Sequence, residues 1–162
     1  MKKTYLTISL ILLITLNNCA GYKPVFNTTN FQFKIDNYLI EGDKKIGNKI
    51  YLKLNRIAKS AKNNKALKSI DITINSTKSK KATLKDSAGK ILEYKMTLST
   101  KINIKDFITE DIVLNKIFVN SQSYKVQSQY YDTVKLENQY TENLIDQVFQ
   151  DLLIQLSQEI SK

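Results

Sequence analysis

Residues 91–104, ILEYKMTLSTKINI, place Leu92, Tyr94, Met96, Leu98, Ile102 and Ile104 at every second position with polar residues between them. That period of two belongs to a strand whose two faces meet different surroundings. Upstream, Ile70, Ile72 and Ile74 alternate with Asp71 and Thr73, and Asp86-Ser87-Ala88-Gly89 lies between the runs as a turn in which glycine permits positive φ. The two runs read as an antiparallel hairpin. A further run, Ile112 to Val119, is apolar on both faces in part and then turns polar through Asn120-Ser121-Gln122-Ser123. It reads as a central or inner strand with a wet end, connected through Thr109 to Asp111.

Outward from this block the period changes. Phe31, Phe33 and Ile35 alternate with Gln32, Lys34 and Asp36, so the first strand is expected over 31–40. Gly42-Asp43 marks a helix start, after which Ile46, Ile50, Leu54, Ile57 and Ala61 recur at three and four residues. Lys45, Lys49, Lys53 and Arg56 form a second stripe beside them, expected as a solvated face whose stems cover the core edge. At the C-terminal end Leu136, Tyr140, Leu144, Val148, Leu152, Leu156 and Ile160 fall four apart, widened by Ile145, Phe149 and Leu153. Asp132 is the N-cap candidate for that helix, and acidic Glu137 lies near the positive end of its dipole. The order β-α-β-β-β-α predicts an α+β fold, a two-layer sandwich with both helices on one face of a four-stranded, mostly antiparallel sheet.

The N-terminus is of another kind. Lys2 and Lys3 precede an apolar stretch from Tyr5 to Leu16, too short to span a bilayer and of signal-peptide length. The single cysteine, Cys19, follows three residues later, where a bacterial lipoprotein signal places the residue that is acylated. Residues 1–18 are therefore expected to be a lipoprotein signal peptide, 19–30 a lipid-anchored tether and 31–162 the domain. Asn18 is larger than the residue usually found before such a cysteine. A secretory signal cut after Ala20, or an uncleaved anchor, are the alternatives.

The 162-residue chain has no histidine, and Cys19 is its only thiol. A Ser-His-Asp hydrolase, a Cys-His enzyme and the usual zinc enzymes are excluded on that ground. Glu110 and Asp111 are adjacent, so on a strand they would point to opposite faces rather than act as an acid and base across a cleft. The chain is expected not to be an enzyme and to need no cofactor beyond a covalent lipid on Cys19. Residues 44–105 carry seventeen lysines and arginines against Asp71, Asp86 and Glu93, whereas residues 106–162 carry four against nine acids. The middle of the chain should attract polyanions. Part of that excess is compositional, because Lys, Asn and Ile abound throughout while Gly and Pro are scarce.

Several strings in order resemble the LptE family of lipopolysaccharide-assembly lipoproteins of the outer membrane, in its alphaproteobacterial form. Cys19-Ala20-Gly21-Tyr22-Lys23-Pro24-Val25-Phe26 is similar to the mature start of such proteins. Asp86 to Tyr94 is similar to their central hairpin, and Ser123-Tyr124-Lys125-Val126, Ser128 and Tyr130-Tyr131 to the segment leading into their last helix. The resemblance covers nearly the whole mature chain. It implies a protein anchored to the outer membrane on its periplasmic side, which plugs and helps assemble the large β-barrel LptD and supports lipopolysaccharide transport. Partners would be an LptD-like barrel, lipopolysaccharide and the membrane itself, with no nucleic acid.

Candidate lipopolysaccharide-binding residues are Lys78, Lys80, Lys81 and Lys85, which crowd the approach to the hairpin with only Asp86 opposing them. Lysines as mobile point charges suit an irregular polyanion. Lys95 and Lys101 are second choices, and protection of a sheet edge is the competing role for the cluster. Tyr124, Tyr130 and Tyr131 are candidate barrel contacts, with packing at the strand-to-helix junction as the alternative. A lipid-binding auxiliary lipoprotein of another envelope lipid-transport system is the second functional reading; it would enclose an apolar cavity, whereas a plug has a filled core and polar exterior.

Overall fold

The computed structural model describes residues 33–60 and 68–160. The expected signal peptide, Cys19, the tether and Ala61 lie outside the described residues. The elements run β1 (Phe33–Gly42), α1 (Lys44–Ser60), β2 (Lys68–Lys85), β3 (Ile91–Asp106), β4 (Ile112–Lys125) and α2 (Tyr130–Ile160). The expected α+β order is the one observed. The four strands form one sheet in the order β1-β2-β3-β4. β1 pairs with β2 in parallel, and the other two pairings are antiparallel. The parallel pair follows from α1, which returns the chain to the edge where β1 began.

Strand alternation builds the core. Ile72 faces Ile104 and Ile74 faces Ile102 across β2 and β3, and all four are buried beneath the helices. Leu114 and Phe118 extend this surface on β4, while Ile46, Ile50 and Leu54 from α1 and Leu144, Ile145, Val148 and Leu152 from α2 close it. Ser76 and Thr100, also paired and fully buried, satisfy each other through their hydroxyls at 3.3 Å. Among the described residues no helix covers the other face. It pairs Thr73 with Asn103, Asn75 with Lys101, Thr77 with Ser99 and Ser79 with Thr97, and exposes Leu39, Ile117 and Val119 on the flanking strands.

The helices meet along the basic stripe of α1. Lys49 pairs with Glu142 and Lys53 with Asp146 at 2.7 Å, so two of the four expected surface cations form an interhelical seam. Asp43 caps α1, accepting the amides of Lys45 and Ile46 at 3.1 Å.

Three expectations are corrected. β1 continues to Gly42 rather than stopping at 40, because positive φ first arises there. β4 is an edge strand and not an inner one: its Ile112, Ile117 and Val119 are exposed, and its mixed pattern reflects an uncovered face. α2 starts at Tyr130, so Asp132 lies inside its first turn; the turn is closed by Thr133, whose hydroxyl oxygen accepts the Gln127 amide at 2.9 Å.

Gly42 is the tightest backbone position. It has φ of 67°, and a Cβ there would lie 2.2 Å from the Ser76 carbonyl oxygen, which already accepts the Asp43 amide at 2.7 Å. Gly89 has φ of 82° but open space around it. Gly42→Ala is expected to lose at least ~2 kcal/mol in urea unfolding, and Gly89→Ala about 1 kcal/mol. Equal losses would contradict the role given to the Gly42–Ser76 contact.

Candidate functional site

β1 ends opposite Ser76, yet β2 continues nine residues further, and Thr77 to Lys85 are exposed throughout. Beyond Ser76 the β2–β3 hairpin is therefore an arm of roughly 30 Å whose β2 side has no strand neighbour among the described residues. All four candidate lysines lie on this arm. Alternation divides them. Lys78 and Lys80 pair with Leu98 and Met96 on the helix-bearing face, whereas Lys81 pairs with Lys95 on the uncovered face. A bulge at Ala82–Leu84 then precedes Lys85. Two cations directly opposite repel each other, so Lys81 and Lys95 favour a bound anion between or beside them.

The helix-face pair is already engaged. Lys80 donates to Glu137 Oε2 at 2.6 Å, Lys78 lies 3.8 Å from Oε1, and the Tyr124 hydroxyl donates to Oε2 at 3.1 Å. Lys80 also stands over the Tyr94 ring, 4.4 Å from its centre. The Tyr124 ring is 2% exposed, packed between Tyr94 and Tyr140 with centroids 5.9 and 5.6 Å away. Tyr124 therefore belongs to the core, and its packing withdraws it from the barrel-facing set. Tyr130 and Tyr131, 84% and 72% exposed at the start of α2, present their rings to solvent.

Arm and helix enclose a half-open cleft of about 350 Å³, lined among others by Lys80, Lys90, Tyr94, Tyr130, Thr133 and Glu137. Its lining mixes amines, one carboxylate and aromatic faces. Among the described residues no cluster of His, Cys, Asp and Glu could hold a metal ion. Nor is any described helix long and apolar enough to cross a membrane.

Lys90 was not singled out from sequence, and Glu137 was marked only as an acid near the positive end of the last helix's dipole. Glu137 had a signal: it lies one residue past Leu136 on the apolar stripe, and a carboxylate there borders the core rather than open water. Burial pushes its carboxyl up, but the Lys80 and Tyr124 hydrogen bonds and the charge of Lys78 outweigh that and hold it below the ordinary 4.5. The Lys80 ammonium is raised above 10.5, chiefly by its hydrogen bond to Glu137. Burial raises the Tyr124 hydroxyl above 10.0, reinforced by its bond to Glu137.

No family model and no curated protein matches the sequence. Solved structures do match. The chain is similar to a candidate lipoprotein from Caulobacter crescentus CB15, with a TM-score of 0.55 and 10% identity over 78% of this chain and 90% of that one. Rare lipoprotein B from Shewanella oneidensis aligns with a TM-score of 0.53 and 12% identity over 78% and 98%. A minor lipoprotein from Acinetobacter baumannii gives 0.54 and 15% over 78% and 91%. At these identities the likeness establishes a shared fold, a sandwich that recurs in bacterial lipoproteins.

The depressed Glu137 carboxyl contributes stability above pH 4.5 that is lost as pH falls through its lowered value; the raised Lys80 and Tyr124 contribute stability below about pH 10 that is lost above it. Glu137→Ala is expected to cost about 1 kcal/mol near neutral pH, held down by the partial exposure of both lysines, and to flatten both pH limbs. Limbs unchanged in the variant would contradict the role assigned to this carboxylate.

Proposed function

We propose that this chain is an envelope lipoprotein, anchored through Cys19 to the periplasmic side of the outer membrane, that acts by binding rather than catalysis. Its domain occupies the lumen of an LptD-like β-barrel, assists the folding of that barrel and supports passage of lipopolysaccharide. The observation that carries the reading is the fold shared with bacterial lipoproteins, among them rare lipoprotein B, in a chain whose N-terminus reads as a lipoprotein signal. Two physical features support it. The interior between sheet and helices is filled by one continuous cluster of side chains, as a plug requires and a lipid carrier does not. The uncovered sheet face is rich in hydroxyl and amide groups, which suits the polar inner wall of a barrel.

Lipopolysaccharide contact falls to the arm. Lys81 and Lys85, with Lys95 across the hairpin, meet a phosphorylated glycolipid directly in this reading. Lys80 contributes through the cleft, where it holds Glu137, and Lys78 supports that carboxylate from beside it. Tyr130 and Tyr131 are the wall contacts.

Depleting the chain from its own cells is expected to lower the amount of folded LptD-like barrel in the outer membrane, measured as the heat-modifiable form in gels; an unchanged amount would sink the assembly role. For the glycolipid, Lys81→Ser with Lys85→Ser is expected to weaken lipid A binding several-fold in low salt and to reduce its salt dependence. Lys78→Ser with Lys80→Ser should lower domain stability more than affinity. Unaltered binding in the first pair would reject the arm as the contact.

A further inference from the structure

β1 stops at Gly42, and beyond it the Asp43 amide takes the Ser76 carbonyl at 2.7 Å. Past this point β2 keeps an unbroken register with β3 from Thr77–Ser99 to Ala82–Tyr94, a straight edge of roughly 20 Å before the bulge. Main-chain groups alternate along a strand, so those of every second residue after Ser76 point outward. The N–H and C=O groups of Lys78, Lys80 and Ala82 therefore face away from β3. Among the described residues no strand or turn takes them.

Lysines can guard such an edge by standing over it. Lys80 instead leans inward, bonded to Glu137 and set over the ring of Tyr94 on β3, and Lys78 turns to the same carboxylate. Neither ammonium screens the edge from which it grows. Their charge nevertheless sets the sign of what can lie there. Residues 77–95 hold six lysines against Asp86 and Glu93, and Lys78 and Lys80 share the one carboxylate of Glu137. A second copy of the arm would lay lysine against lysine, which a paired edge disfavours.

We propose that the edge from Thr77 to Ala82 is a docking site for an extended acidic segment of a partner polypeptide, which joins the sheet as a strand in the place that β1 vacates. Outward N–H and C=O groups at strand spacing call for a polypeptide, because only another main chain offers the matching ladder. The lysine excess calls for carboxylates at alternate positions of that segment, on the face that holds Lys78 and Lys80. Lys81 and Lys95, on the uncovered face, stay open to the glycolipid.

The probe is a fluorescein-labelled octapeptide of alternating glutamate and threonine, titrated by anisotropy against the full-length protein in detergent micelles. Two control peptides keep its length. One carries lysine in place of glutamate; the other has every main-chain nitrogen methylated, which keeps the charges and removes the donors. Saturable binding of the first peptide, at least ~10-fold tighter than either control, is the expected result. Lys78→Pro and Lys78→Ser lose the same charge, but only proline also removes an outward amide. Lys78→Pro is expected to weaken binding several-fold beyond Lys78→Ser at an unchanged unfolding temperature. Should the proline variant fail to fold, the methylated peptide decides on the unaltered protein. Equal binding of the methylated peptide, or equal weakening by two folded variants, overturns the added strand and leaves charge attraction alone. Equal binding of the lysine peptide overturns the acidic partner. No saturable binding of the glutamate peptide overturns the site itself, and the edge is then simply solvated.

Discussion

The two-facedness of β2 and β3 is the constraint on which the rest of the molecule depends. Ile72, Ile74, Ile102 and Ile104 form a square of β-branched side chains on one face, while Thr73 and Asn103 pair on the other. A one-residue slip of either strand would carry its two isoleucines to the other face. Both helices therefore lie on the isoleucine side, and the other face is polar along its centre with Leu39, Ile117 and Val119 exposed on its outer strands. The helices in turn leave the long hairpin uncovered past Ser76, where β1 ends. A sandwich with one bare polar face and one projecting arm follows from this asymmetry.

Glu137 joins the arm to that sandwich. One carboxylate receives Lys80, Lys78 and the Tyr124 hydroxyl, coupling β2, β4 and the first turns of α2 at one point. Removing it would leave a buried phenol and two amines without their acceptor, a larger penalty than the loss of a lone surface ion pair. The arm is thus steadied near its base, while Lys81 and Lys85 further out are exposed. The molecule has a fixed root and a cationic reach.

Element order, helix faces and the core were legible in the sequence because each rests on a period that one stretch displays by itself. Ile46, Ile50 and Leu54 announce α1, and Asp43 announces its cap. Neighbour relations were harder, since the mixed pattern of Ile112 to Val119 fits a strand covered on both faces as well as an edge strand with one apolar face left bare. Only the pairing of β4 with β3 alone distinguishes them. The division of the lysines was within reach: counting by twos from Ile74 puts Lys78 and Lys80 on the core face and Lys81 on the other. The partners of Glu137 were not, because they depend on α2 crossing the arm and so on contact between segments far apart in sequence. The same holds for Tyr124, whose burial comes from Tyr94 and Tyr140 on other elements.

The central claim is that this fold serves as a barrel-bound lipoprotein, and affinity purification of the full-length protein from its own outer membrane in mild detergent tests it most directly. Mass spectrometry of the co-purifying material is predicted to show one large β-barrel protein of LptD type in equimolar amount. Recovery with an inner-membrane transporter instead, or alone with bound phospholipid, would contradict the account and favour a lipid carrier.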